Sequence, residues 1–125
     1  MKNLYEKIGS KKLEDIIRHF YDNAFEDVMI GYFFTGKDKE KLIRHQIEFT
    51  SQLLGCTDIN YQGQPLPQVH NKLAGLRKPH FDRRHLLLKE AMSAFQLPNE
   101  ITEEWLTLER RLLPLILGRR TPTKQ

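Results

Sequence analysis

The spacing of apolar residues is the tightest constraint on this chain. Leu13, Ile16, Ile17, Phe20, Tyr21 and Ala24 recur at intervals of three and four. At about 100° per residue this rhythm gathers them on one side of an α-helix, whereas a half-buried strand would need strict alternation. Ser10 stands where an N-cap is expected, and Glu14 lies in the first turn, where the helix dipole favours a carboxylate. The segment predicts a helix that ends between Phe25 and Val28.

The rhythm returns three times. A second helix is predicted over about residues 38–54, capped by Asp38, with Leu42, His45, Gln46, Phe49 and Leu53 on a single stripe. A third covers about residues 80–95, with Phe81, His85, Leu88, Met92 and Phe95 on one side. A fourth opens at Pro98-Asn99 and turns Ile101, Trp105, Leu108, Leu112 and Ile116 inward, Pro114 weakening its last turns. Between the first two, Phe33-Phe34 closes a short stretch that Thr35-Gly36 breaks. Residues 55–65 are rich in Gly, Asn and Gln and read as a loop. Pro67 suits the first turn of a short helix carrying Val69, His70 and Leu73, and Gly75 to Pro79 breaks the pattern again. No internal repeat and no convincing strand appear. The expected class is all-α, one domain over residues 1–117 with a frayed tail over 118–125.

Bulk properties narrow the function. The chain has 125 residues, 39% apolar and 29% charged, enough for one core. No apolar run approaches the ~18 residues of a bilayer span, and the first residues lack the apolar stretch of a secretion signal. The expectation is a cytoplasmic, membrane-free monomer. Cys56 is the single cysteine, which excludes an internal disulfide, a thiolate zinc site and a Cys-x-x-Cys-His haem attachment. It reads as a small packing residue. The net charge of +4 is spread over scattered basic pairs such as Arg77-Lys78, Arg83-Arg84 and Arg110-Arg111. A nucleic-acid binder concentrates such charge in a stripe, so dispersed cations read as solvated faces, a few of which could neutralise an anionic ligand.

The anomaly lies in the second helix. His45 and Gln46 share a stripe with apolar residues, and burying either without a partner costs about 1–3 kcal/mol. Tyr21 adds a polar group from the first helix's buried face. Three polar groups aimed into one apolar interior suggest a cavity for a polar ligand. His45 and His70 do not form a His-x-x-x-His pair, and no carboxylate on their stripes completes a mononuclear metal site. Two imidazoles from different segments, among aromatics, fit better with the two faces of a haem. A carbonyl near Leu66 could accept from the ring nitrogen of His70 that does not bind iron. The competing reading is a haem-free helical interaction module in which both histidines are simply buried.

Six segments carry a resemblance: Leu4 to Gly9, Phe20-Tyr21, Phe33-Phe34, His45-Gln46, Gln68-Val69-His70 and His80-Phe81-Asp82. In this order and spacing they resemble the truncated haemoglobins of group I, over roughly residues 4–116. The resemblance implies a two-over-two helical sandwich around non-covalent haem b. It makes His70 the proximal iron ligand, Tyr21 the distal tyrosine, and Phe34 the phenylalanine against the haem plane. Leu42, His45 and Gln46 become distal positions, with Phe49 and Leu53 beside the cofactor. Tyr61, Leu66, Leu73, His80 and Phe81 would line the proximal side or haem edge. Core packing alone would also account for Phe34, Phe49 and Phe81.

The implied ligands are dioxygen, carbon monoxide and nitric oxide. A Tyr21 hydroxyl and a Gln46 amide can both donate to a diatomic ligand whose outer atom carries partial negative charge. Each bond worth ~1 kcal/mol slows dissociation about fivefold. His45 either becomes a sixth iron ligand, as in some relatives, or points outward to a haem propionate. Nitric oxide dioxygenation would need a separate reductase, since no flavin or nicotinamide motif is present. The chain departs from the family pattern at Gly9-Ser10 and Gly55-Cys56, where relatives carry paired glycines, and at Arg84, where they carry an apolar residue. No histidine follows His85, so the covalent haem link of some cyanobacterial relatives has no residue to form it.

Overall fold

The computed structural model describes residues 2–56 and 77–111, and every element among them is helical. α1 (Leu4–Ile8) is held at its start by a reciprocal cap: the Asn3 side chain accepts from the Glu6 amide at 2.8 Å, and the Glu6 carboxylate accepts from the Asn3 amide at 3.1 Å. α2 (Ser10–Ala24) follows after one residue. Gly9 makes that corner with φ at +89°, a conformation that costs other residues a Cβ clash. Ser10 is therefore the first helical residue rather than the expected N-cap; Gly9 occupies the cap position, with no side-chain bond. One glycine is enough for the corner where the family pattern has two. All six apolar positions predicted for α2 are buried.

A short 3-10 turn (Gly31–Phe34) carries the aromatic pair. α3 (Lys39–Leu53) begins as expected, the Asp38 carboxylate accepting from the Lys41 amide at 3.2 Å. Its burial differs from the expectation. The fully buried residues of this segment are Ile43, Thr50, Ser51 and Leu54, whereas Leu42, His45, Gln46, Phe49 and Leu53 are half-buried. At ~100° per residue the two stripes lie roughly a third of a turn apart. Periodicity had selected the stripe with the larger side chains; the small hydroxyl residues on the other stripe are the ones that go into the protein interior.

α4 (Lys78–Ala94) starts two residues earlier than predicted, because Pro79 is accommodated in the first turn, where its missing N–H is no loss. The Arg77 amide donates to His80 Nδ1 at 2.9 Å and closes that end. Phe81, Leu87, Leu88, Ala91 and Met92 are buried; His85 and Phe95 are half-buried. α5 (Asn99–Arg110) starts where Pro98-Asn99 predicted. Its inner face is Thr102, Trp105, Leu106 and Glu109, with Ile101 and Leu108 only partly buried. The face is rotated from the expected one because a carboxylate, Glu109, is taken inside and paired. Leu112, Pro114, Ile116 and the tail lie outside the described residues.

α2 packs on both α3 and α4, α4 packs on α5, and α1 bridges α2 and α5. The result is one helix pair laid over another, with α2 and α4 as the shared seam. Trp105, Phe20, Leu13, Ile16, Ile17, Ile43, Met92 and Leu106 fill the centre. Asn3 Nδ2 donates to the Gly55 carbonyl and the Tyr5 amide to the Leu54 carbonyl, both at 3.0 Å, which ties the end of α3 to α1.

Candidate functional site

The site grows from the inner edge of α2. Tyr21 is 7% exposed, and its ring meets Phe20 at 5.0 Å, Phe34 at 5.9 Å and Phe25 at 6.2 Å, all edge-on. Phe25 and Phe34 stack at 4.9 Å, nearly parallel at 13°. The Tyr21 hydroxyl donates to Gln46 Oε1 at 3.3 Å, and Gln46 Nε2 donates to Thr50 Oγ1 at 2.8 Å. A neutral string of hydroxyl, amide and hydroxyl thus crosses from α2 to α3. Leu42, Phe49 and Leu53 flank it on the half-buried stripe, and His45 lies beside Gln46.

Tyr21, Phe34 and Gln46 are therefore brought together as predicted. Thr50 was missed: it is fully buried and holds Gln46 one turn away. Its i, i+4 spacing from Gln46 was the available signal. Phe81 is buried and His80 half-buried on α4. His80 meets Phe33 edge-on at 5.1 Å. His70, Tyr61, Leu66 and Leu73 lie outside the described residues, as does the whole segment expected to carry the proximal side.

Arg84, the departure from the family pattern, has a definite place. Its guanidinium donates to the buried Glu109 carboxylate at 2.9 Å, whose other oxygen accepts from Trp105 Nε1 at 3.2 Å. It lies 5.4 Å from the Phe20 ring centroid and 6.0 Å from that of Phe81. The charge is paired with α5. Next to it, the His85 ring stacks on Phe81 at 5.8 Å, and its Nε2 faces Arg110 Nη1 at 3.1 Å. Arginine has no acceptor, so this contact requires an unprotonated Nε2 and puts the ring proton on Nδ1. Burial, reinforced by Arg110 and Arg84, holds the His85 imidazole below its ordinary range.

The arrangement suits a flat apolar group with a polar centre. α3 offers two faces, one sealed against protein and one half-buried, apolar at Leu42, Phe49 and Leu53, with an imidazole and an amide in the middle. The stacked Phe25 and Phe34 present flat rings at its edge. The donor set is nitrogen and hydroxyl, with no carboxylate; no cluster of three metal-binding side chains occurs among the described residues. Such a face fits haem better than a bare ion.

Comparison with known proteins agrees. The model of the bacterial-like globin family matches residues 3–113. The chain is 32% identical over 115 residues to the group 1 truncated hemoglobin GlbN of Mycolicibacterium paratuberculosis, covering 91% of this chain and 83% of that one. Its structure superposes on the 2/2 hemoglobin of Synechococcus, solved in the cyanomet state with covalently attached heme, with a TM-score of 0.87, 26% identity and coverage of 94% and 100%. A truncated hemoglobin from Tetrahymena pyriformis, solved in the Fe(III) form with one tyrosine replaced by phenylalanine, matches in fold at a TM-score of 0.85 and 21% identity, covering 92% and 97%. The two stacked helix pairs are the 2/2 globin fold, and this chain belongs to the bacterial-like globin family as a truncated haemoglobin of group 1.

Proposed function

We propose that this globin holds haem b non-covalently, with His70 as proximal iron ligand, and binds dioxygen, carbon monoxide and nitric oxide on the Tyr21/Gln46 side. The haem iron would supply diatomic coordination and, with a one-electron donor, conversion of dioxygen and nitric oxide to nitrate. The observation that carries the reading is the Tyr21–Gln46–Thr50 string, which runs from the α2 face through half-buried Gln46 to buried Thr50 of α3.

The residues have separable tasks. The Tyr21 hydroxyl has one proton and gives it to Gln46; a ligand arriving between them offers a more strongly charged acceptor, so the hydroxyl can turn to it. Thr50 keeps one amide proton of Gln46 occupied and leaves the second available. The stacked Phe25 and Phe34 pack together against the Tyr21 ring, and Phe20 adds a third edge-on contact. His45, half-buried and one residue from Gln46, would either act as a sixth ligand in the absence of a diatomic or bond to a propionate.

Visible spectra of the hemin-loaded chain test this. Wild type is expected to show a Soret band and a six-coordinate ferric form. His45→Ala is expected to become five-coordinate or water-bound, while His70→Ala loses the proximal bond. An unchanged His45→Ala spectrum removes the sixth-ligand assignment. A chain that takes up no hemin removes the whole reading and leaves a haem-free helical module.

A further inference from the structure

We propose that the corner between α4 and α5 binds the phosphate group of a small molecule, either free phosphate or a phosphomonoester. The site is independent of haem. A hollow of about 360 Å³ lies at this corner, and the first turn of α5 forms one of its walls.

That helix start has unpaired donors. A serine, threonine or aspartate at the cap would accept from the first amides, but the cap residue is Pro98, which has no side-chain acceptor. The first backbone bond of α5 runs from the Thr102 amide to the Pro98 carbonyl at 2.9 Å. The Asn99, Glu100 and Ile101 amides therefore have no hydrogen-bond partner among the described residues. Unpaired amides at the positive end of a twelve-residue helix attract an anion.

Thr102 points to the same chemistry independently. It is 6% exposed, lines the hollow, and its hydroxyl has no hydrogen-bond partner among the described residues. A buried hydroxyl is ordinarily paired. Among the described residues, the side-chain atoms sealed from solvent without a partner are Glu48 Oε1 and His85 Nδ1. The Thr102 hydroxyl is thus buried, unpaired and open only towards the hollow that it lines.

Charge and size select the ligand. Lys89 and Ser93, one turn apart on α4, line the same hollow. Lys89 is exposed and enters no ion pair among the described residues. No described acid lines the hollow. Glu100, Glu103 and Glu104 line a separate one with Arg111, and Glu90, beside Lys89 in sequence, lines neither. Three amides, an ammonium and two hydroxyls offer more donors than the two oxygens of a carboxylate use well; they suit the larger oxygen set of a phosphate. Leu97 and Pro98 add an apolar wall, with room for a short organic group beyond the phosphate. The corner is already fixed by Gln96 N–H to the Ser93 carbonyl at 3.0 Å and Leu97 N–H to the Met92 carbonyl at 3.1 Å, so little ordering is needed on binding.

The full chain is titrated with inorganic phosphate and with glycerol 3-phosphate, by calorimetry and by amide NMR, against sodium chloride at equal ionic strength. Saturable shifts are expected at the Asn99, Glu100 and Ile101 amides. Lys89→Glu is expected to weaken binding about tenfold, through lost attraction and new repulsion. Thr102→Val, which keeps the shape and removes the hydroxyl, is expected to weaken it about fivefold. Tighter binding of glycerol 3-phosphate identifies a phosphomonoester as the ligand, and equal binding identifies free phosphate; either upholds the site. Shifts that chloride reproduces, shifts that do not saturate, or wild-type affinity in both variants overturn it.

Discussion

Two polar networks cross this core, and they are built on opposite principles. Tyr21–Gln46–Thr50 is neutral and runs from α2 to α3 through a half-buried amide. Arg84–Glu109–Trp105 is charged, runs from α4 to α5 and has both carboxylate oxygens engaged. In the first, each group can exchange its partner for another at small cost, because hydroxyls and amides donate and accept. In the second, any lost partner leaves a charge among Phe20, Phe81 and Trp105. A site that must greet a ligand needs the first kind; a joint between helices can use the second. Arg84, the departure from the family pattern, belongs to the second network.

The sharpest way to break this contrast is to remove one charge. Glu109→Leu strands Arg84 between two aromatic rings and is expected to cost about 3–5 kcal/mol. Urea unfolding monitored by Trp105 fluorescence measures it. Arg84→Met/Glu109→Leu is expected to recover most of the loss, because two well-packed apolar residues replace a satisfied pair. If the single variant is as stable as wild type, the network is not the structural joint described here.

Tyr21→Phe tests the neutral network. The ring stays among Phe20, Phe25 and Phe34, and only the hydroxyl goes. The stability loss is expected to be about 1 kcal/mol, and ligand dissociation from the hemin-loaded chain is expected to quicken about fivefold. Flash photolysis or stopped-flow displacement reads the rate. A large stability loss without a change in dissociation would reverse the roles assigned to the two networks.

Thr50→Val is the finer probe. It removes the acceptor that holds Gln46 and keeps nearly the same shape, at a cost of about 1–2 kcal/mol in a buried position. Freed from Thr50, Gln46 is expected to affect dissociation less than loss of the Tyr21 hydroxyl does. A Thr50→Ser variant restores the acceptor and should restore the rate.

The reasons some of this was legible in sequence, and some not, follow from the same physics. The α2 face was readable because six apolar residues at helical spacing admit one burial solution. The starts of α3 and α5 were readable because Asp38 and Pro98-Asn99 are local cap chemistry. Tyr21 and Gln46 stood out as polar groups on apolar stripes, and the structure joins them directly. The buried face of α3 was misplaced because Thr50 and Ser51 are small and polar, and pattern reading rewards large apolar residues. Glu109 escaped notice because a buried carboxylate is visible only with its partner, and Arg84 is 25 residues away in sequence. The proximal assignment of His70 is what the family resemblance implies, and His70 lies outside the described residues.

The smallest expected effect concerns His85, at the edge of the charged network. Folded, its imidazole resists protonation through burial and the nearby Arg110 and Arg84; unfolded, it titrates near its ordinary value of 6.5. As pH falls through about 6.5 the unfolded chain gains a proton that the folded chain refuses, so proton uptake favours unfolding. The contribution is fully present above 6.5 and is lost as pH falls toward the lower, folded value. Asp27 follows the same rule in a separate, more acidic window: the Arg83 hydrogen bond holds its carboxyl below 3.8, and its contribution is lost only in stronger acid. Urea midpoints of wild type and His85→Leu between about pH 7.5 and 5 isolate the histidine. The variant is expected to show the shallower decline. Parallel curves would mean that burial and the neighbouring Arg110 and Arg84 do not hold the ring neutral.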